Sequence, residues 1–343
     1  MRFHSHLRGR LTSLGALTIG VLTIVCPSDA SAHVKWFAPF NVASEPRSLL
    51  SVLSPTFGYL FLISLVVMFG TAVVERTPFG SALLDTLDRI GGVFRSRTEA
   101  LLRACAGAFL VALFVLGNVI LTPELKTQSA IIPWLQVVMA IGLFWRPTMV
   151  LTGFGIVALY VIRVANYGVF HLLDYPIFLG LAAFFILSGL GLKLGNLRPL
   201  DVARWGAGIT LMWASIEKWA YPQWTYPLLV EHPKLAFNWD PSFYMTAAGV
   251  IEFGLAFGLI WTPLVRRLAA VVLSAMFISA IFEFGKIDAI GHLMIIAILL
   301  CVIADDSPKP TWRPIWAPVF YIGALAGILT AYYTLHAALF RVS

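Results

Sequence analysis

Apolar positions along this chain come in long blocks rather than in alternation, with polar residues gathered in short stretches between them. Blocks of roughly 18 or more mostly apolar residues are what a helix needs to cross the hydrocarbon core of a bilayer. The blocks at 55–74, 104–121, 131–145, 148–164, 175–192, 204–220, 241–261, 268–284, 290–304 and 314–339 predict about ten transmembrane helices. Prolines stand near several starts (Pro55, Pro133, Pro147, Pro176, Pro241, Pro314), where a helix has no backbone donor to lose. Block 131–145 is short for a lone spanning helix. After the first block, Phe79, Leu83, Leu87, Ile90 and Phe94 oppose Asp85, Asp88 and Arg89, a spacing that predicts a helix lying on the membrane surface.

The start of the chain has a different pattern. Arg2, Arg8 and Arg10 precede an apolar run from Leu11 to Val25, and Ala30-Ser31-Ala32 follows as a small-residue cleavage site. Residues 1–32 therefore read as a cleavable signal peptide, with an uncleaved signal anchor as the alternative. Cleavage after Ala32 exposes His33 as the first residue. Val25 stands before Cys26 where a lipoprotein site needs a small residue, so no lipid anchor is expected.

Composition agrees with the blocks. Apolar residues make up 59% of the 343 positions and charged ones only 12%, which overrides the two soluble domains that length alone suggests. A net charge of +7 points to nucleic acid in a soluble chain. Here the basic residues collect in alternate loops: Arg76, Arg89, Arg95, Arg97 and Arg103; Arg146; Lys193, Arg198 and Arg204; Arg266 and Arg267; Lys309 and Arg313. That is the positive-inside bias, so the partner is the lipid bilayer and no nucleic acid is expected. It places the protein in a bacterial inner membrane with the mature amino terminus and the carboxyl terminus both periplasmic.

The chain also repeats itself. Residues 135–147 align without gaps with 251–263, sharing Ala140/Ala256, Gly142/Gly258, Leu143/Leu259, Trp145/Trp261 and Pro147/Pro263, with Gln136 opposite Glu252. Tyr167-Gly168-Val169-Phe170-His171 matches Phe284-Gly285-Lys286-Ile287-Asp288, and Arg103 with Ala106-Gly107 matches Arg204 with Ala207-Gly208. Each copy holds four blocks, so the two run in the same sense, unlike the inverted repeats of many transporters.

Three stretches carry a family resemblance: Met212-Trp213-Ala214-Ser215-Ile216-Glu217-Lys218-Trp219, the Glu252 block ending Gly258-Leu259-Ile260-Trp261-Thr262-Pro263, and Phe284-Gly285-Lys286-Ile287-Asp288-Ala289-Ile290-Gly291-His292. Together they resemble the DoxX-like membrane proteins, best over 203–304 and more weakly over 103–192. The resemblance implies four-helix membrane modules, some of which accompany thiosulfate:quinone oxidoreductase or other thiol and respiratory redox systems. The expected architecture is thus an all-α membrane protein with two tandem parallel four-helix DoxX-like modules. It divides into the signal (1–32), an exported segment with the first span and a cytoplasmic amphipathic loop (33–102), a degenerate module (103–192), a second module (203–304), and a last loop and span (305–343). The first copy departs from the pattern, with Leu116-Gly117 for the Glu-Lys pair and Gln136 for Glu252, which marks it as scaffold.

Ionisable residues inside apolar blocks are the candidates for chemistry, because an unpaired charge in lipid costs at least a few kcal/mol. Glu252 stands near the middle of its block, with Ala248, Gly249 and Ala256 on its helical face for close packing. Glu217, Lys218, Glu283, Asp288 and His292, with Lys286, fall at similar depth near the exported ends of their blocks and are expected to form a polar pocket there. The alternative is a set of salt bridges that fixes helix register. The aromatics of 221–240 suit an interfacial belt.

Five histidines remain after the signal, and His33, His171, His232, His292 and His336 all map to the exported side, leaving no mid-membrane pair for haem. A free α-amine and imidazole on His33, with a nitrogen from His232, His292 or His336, would suit Cu(II). Cys26, Cys105 and Cys301 form no CxxC pair. Three readings compete, the first two being an accessory membrane subunit for quinone- or thiol-linked redox chemistry at the periplasmic side, with a redox partner protein carrying electrons, and a copper or small-solute binder or transporter. A structural module without chemistry is the third.

Overall fold

The computed structural model describes residues 35, 40–306 and 313–340. The signal segment and His33 lie outside the described residues. Helices dominate: α1 (Leu49–Val52), α2 (Pro55–Val74), α3 (Pro78–Arg95), α4 (Thr98–Leu116), α5 (Ile131–Gly142), α6 (Arg146–Tyr167), α7 (Val169–Leu172), α8 (Pro176–Leu190), α9 (Pro199–Ala220), α10 (Tyr226–Glu231), α11 (Pro241–Leu259), α12 (Pro263–Ala304) and α13 (Trp316–Phe340). Six of them, α2, α4, α6, α11, α12 and α13, are long and apolar enough to cross a membrane. Helices α5 and α8 are apolar but shorter. Helix α9 has the length, 22 residues, but carries Asp201, Arg204, Glu217 and Lys218.

Two boundaries differ from the sequence pattern, each for a local reason. The block expected over 104–121 ends its helix at Leu116, because Gly117, Asn118 and Leu121 adopt positive φ. The chain there turns into a small antiparallel hairpin, β1 (Val119–Ile120) and β2 (Thr122–Lys126). The two halves of α12 abut at Gly285, whose φ of 74° and ψ of −151° are not helical. The chain reverses at that glycine. Arg267 Nε donates to the carbonyl of Ile303 at 2.8 Å, whereas 36 residues of straight helix would separate the two by about 54 Å. Helix α12 is therefore an antiparallel pair of helices joined at one residue.

Packing follows small residues. Helices α8 and α9 cross at Gly180 and Gly206, where a Cβ on either would lie about 3 Å from the other's backbone. Helix α9 continues against α11, α11 against α12, and α12 against α4, so the helices of 98–190 and those of 199–304 share one core.

The two ends of the bundle differ. At one end, Arg198 bridges Asp201 and Asp305, Arg204 donates to the Leu259 carbonyl, and Arg266 reaches Asp305 at 3.2 Å. Arg267, 1% exposed, joins Asp88 of α3 at 2.7 Å, and Glu75 accepts from the Leu264 backbone at the start of α12. Helix α3 is tied down by these contacts while Phe79, Ile90 and Phe94 remain exposed. At the opposite end, the segment around 40–54 lies across the helix termini. Arg47 N–H donates to the carbonyl of Ala220, and Tyr333 and Tyr221 hydroxyls donate to the carbonyls of Arg47 and Ser44.

Candidate functional site

The polar residues of that second end fall into separate groups rather than one pocket. The largest is a recess built from five pieces of chain. Hairpin β2 supplies Glu124, the turn α7 supplies His171, the residues before Pro176 supply Asp174 and Tyr175, the last turn of α9 supplies Glu217, and the amino-terminal segment supplies Lys35. Lys35 Nζ donates to Asp174 Oδ2 and, at 2.5 Å, to Glu217 Oε1. Its side chain is only 2% exposed, and the rings of Phe40 and Trp224 each stand 5.6 Å from the ammonium. Tyr175 hydroxyl donates to Glu124 Oε2, and His171 Nε2 lies 2.5 Å from Glu124 Oε1. Burial alone would lower the Lys35 pKa, but the carboxylates of Asp174, Glu217 and Glu124 outweigh it and hold the ammonium above its ordinary value. Burial pushes the Asp174 carboxyl up, against the pull of Lys35 and His171.

The recess is held from behind by backbone contacts. Gln136, fully buried, donates to the Val119 carbonyl at 3.1 Å and accepts from Leu121 N–H, which fixes the hairpin that presents Glu124. Arg163 donates to the Lys126 carbonyl and Tyr167 hydroxyl accepts from Lys126 N–H. Tyr160 hydroxyl donates to the Leu172 carbonyl at 2.6 Å, pinning the turn that carries His171.

The second group centres on Glu252. It is buried on α11 and paired at 2.5 Å with Lys218 of α9. Lys218 also lines a cavity of about 280 Å³ at the bundle end, walled by Arg47, Ser51, Ser54, Trp219 and Asp240. The starts of α2 and α11, with Ser54 and Asp240 as their caps, open on the same space. Trp219 can form its wall because position 249 is glycine, where a Cβ would lie 2.2 Å from the indole nitrogen. The indole N–H donates to the Thr246 carbonyl.

The remaining candidates form two pairs and one isolated contact. His232 Nδ1 meets Glu283 Oε1 at 2.8 Å with Phe284 edge-on to the imidazole. His292 Nδ1 meets Asp288 Oδ2 at 3.0 Å, one helical turn apart, under the Phe277 ring. His336 Nε2 contacts the Val42 carbonyl at 3.1 Å and packs among Phe170, Tyr221 and Phe340. Among the described residues no three His, Cys, Asp or Glu side chains are grouped to hold a metal ion. Cys105 and Cys301 are both free and buried.

Of the sequence candidates, then, Glu217 belongs to the Lys35 recess, Lys218 and Glu252 to the cavity, and Glu283, Asp288 and His292 to histidine–carboxylate pairs. Lys35, Glu124, His171, Asp174 and Tyr175 were not marked by the pattern as a site. The signal they offer is position at the predicted exported side: Glu124, His171 and Asp174 lie between apolar blocks, Tyr175 opens block 175–192, and Lys35 lies in the exported segment before the first block. Protein-family models, curated proteins and solved structures were all compared with this chain, and none matches.

Proposed function

We propose that the chain is a DoxX-like protein of the bacterial inner membrane, with about ten spans, two tandem parallel four-helix modules and both mature termini periplasmic, that supports quinone-linked redox chemistry at its periplasmic end. The modular reading is supported by Gly168 and Gly285. They are matched in the sequence repeat, and both take positive φ with extended ψ (83° and 158°; 74° and −151°) between consecutive helices. The arginine-rich end agrees with a cytoplasmic face.

The observation that carries the functional reading is Lys218, which borders the cavity on one side and holds the buried Glu252 at 2.5 Å on the other. A quinone headgroup needs a flat, part-apolar slot with a donor at a carbonyl oxygen and a route for protons. Trp219 and Phe243 give the slot its walls, and Lys218 is the donor. Lys218 would donate to a quinone oxygen there, and the Glu252 carboxylate beside its ammonium would relay protons to and from that pair. A quinone, when bound, supplies the electron chemistry, with a partner protein as electron source. Both described cysteines are buried, which favours quinone over a thiol of this chain. The copper alternative draws on His33 and finds no grouped ligands among the described residues.

The test is binding. A short-chain quinone added to the purified protein should quench tryptophan fluorescence saturably, and Trp219→Phe should remove that component. Lys218→Met should weaken binding at least tenfold. Quenching that never saturates, or that is identical in both variants, would reject the cavity as a quinone site.

A further inference from the structure

The recess around Lys35 has a charge imbalance that its geometry does not relieve. Three carboxylates, Glu124, Asp174 and Glu217, face one ammonium, Lys35, and one imidazole, His171. Even with His171 protonated, one negative charge is left over. Among the described residues the other titratable groups against the recess are the phenols of Tyr160, Tyr175, Tyr221 and Tyr332, neutral at neutral pH, and the Arg163 guanidinium, which donates to the Lys126 carbonyl behind the hairpin and pairs with none of the three carboxylates. Burial makes such a surplus expensive, because an unpaired carboxylate away from water costs several kcal/mol. A second observation points the same way. The Asp174 side chain is 8% exposed, and while Oδ2 takes the Lys35 bond, Oδ1 is buried with no hydrogen-bond partner. A bare carboxylate oxygen there is the natural place for a proton.

We propose that this recess is a proton-storing site at the exported end of the bundle, in which Asp174 and Glu217 share one exchangeable proton around the fixed charge of Lys35. The carboxyl pair is the acceptor. Lys35 sets the surplus, since its one charge can neutralise only one of the two acids it bridges. Phe40 and Trp224 shut water out over the ammonium, which keeps the second acid in its protonated form. Glu124 takes the Tyr175 hydroxyl and lies beside the His171 imidazole, and although its Oε1, like Asp174 Oδ1, has no hydrogen bond, the stored proton is assigned to the Lys35 side because there two acids share one ammonium. This site is distinct from the Lys218 cavity and does not depend on quinone binding.

Infrared difference spectroscopy of the purified full chain tests it. At neutral pH the protein should show the carbonyl stretch of a protonated carboxylic acid, shifted in heavy water, and Asp174→Asn or Glu217→Gln should remove it. Glu252→Gln should leave it in place. Should either of the first two variants fail to fold, Lys35→Met reads the same site: with the ammonium gone a second acid must be protonated, and the band should grow. A wild-type protein without the band, a band that survives in both acid variants, or a band unchanged in Lys35→Met would overturn the proposal. So would a saturable rise in the wild-type Tm with sodium or potassium but not with choline, because a metal cation would then carry the surplus charge.

Discussion

Glu217 and Lys218 are consecutive residues of α9 that serve different sites. Glu217 reaches Lys35 at 2.5 Å, and Lys218 reaches Glu252 at 2.5 Å. Successive residues on an α-helix point about 100° apart, so one turn of α9 faces both the turns of the first helical group and α11 of the second. Helix α9 is thereby the shared wall of two ionised sites, and its charges are satisfied only when both neighbours are in place. This explains how a helix with four charged residues sits at the centre of the bundle.

Removing Glu252's charge separates chemistry from packing. Glu252→Gln keeps a hydrogen-bonding group for Lys218 and should preserve insertion and folding while lowering quinone-dependent activity at least tenfold. Glu252→Leu leaves Lys218 without its counter-ion and should also reduce folded yield. Gln136→Leu, at the matched position of the first copy, should leave the Lys218 cavity active but loosen the hairpin that presents Glu124. Activity measured in membranes that retain the electron-donating partner, with folded yield in detergent beside it, checks all three. Wild-type activity in each would reduce Glu252 to a packing residue.

The helix blocks were legible because lipid imposes a local rule: apolar length is written in consecutive residues. The loss of 117–121 from the second block was also written locally, in Gly117-Asn118. The recess was not legible. Lys35 meets Asp174 across 139 positions and Glu217 across 182, and no periodicity pairs residues at such separations. Glu252 could be marked as costly in lipid, but its partner Lys218 had equal claim to Glu283 or Asp288 until the helices were packed. Charge at a block edge shows that a group needs a partner without naming it.

Orientation is open to direct measurement. The arginine end, with Arg198, Arg204, Arg266 and Arg267, should face the cytoplasm. Reporter fusions at Asp306 should read as cytoplasmic and at Ser343 as periplasmic. The reverse pattern would invert the assignment of both sites to the exported side.

Gly168 tests the reversal between helices without a steric complication. Its φ of 83° and ψ of 158° belong to a region only glycine occupies freely, and an added Cβ would meet nothing within 4 Å. Gly168→Ala should therefore cost about 1–3 kcal/mol from backbone strain alone, seen as a lower Tm in detergent. A Tm equal to wild type would mean that the turn relaxes without cost.

Arg267 offers the sharpest test of what holds α3 to the bundle. Its guanidinium donates to Asp88 and to the Ile303 carbonyl and is almost fully enclosed, whereas the Asp88 side chain is 40% exposed. The two halves of the pair should then respond unequally. Asp88→Ala leaves Arg267 its carbonyl contact and opens the site to water, so a loss of about 1–2 kcal/mol is expected. Arg267→Ala removes a buried side chain and both bonds, and should cost about 3–5 kcal/mol. Because removing one partner leaves the other to bear its desolvation, the double variant Arg267→Ala with Asp88→Ala should lose less than the sum of the two single losses. Thermal unfolding of the four proteins in one detergent gives the coupling. Losses that simply add, with no recovery in the double variant, would show that the pair does not couple α3 to the start of α12.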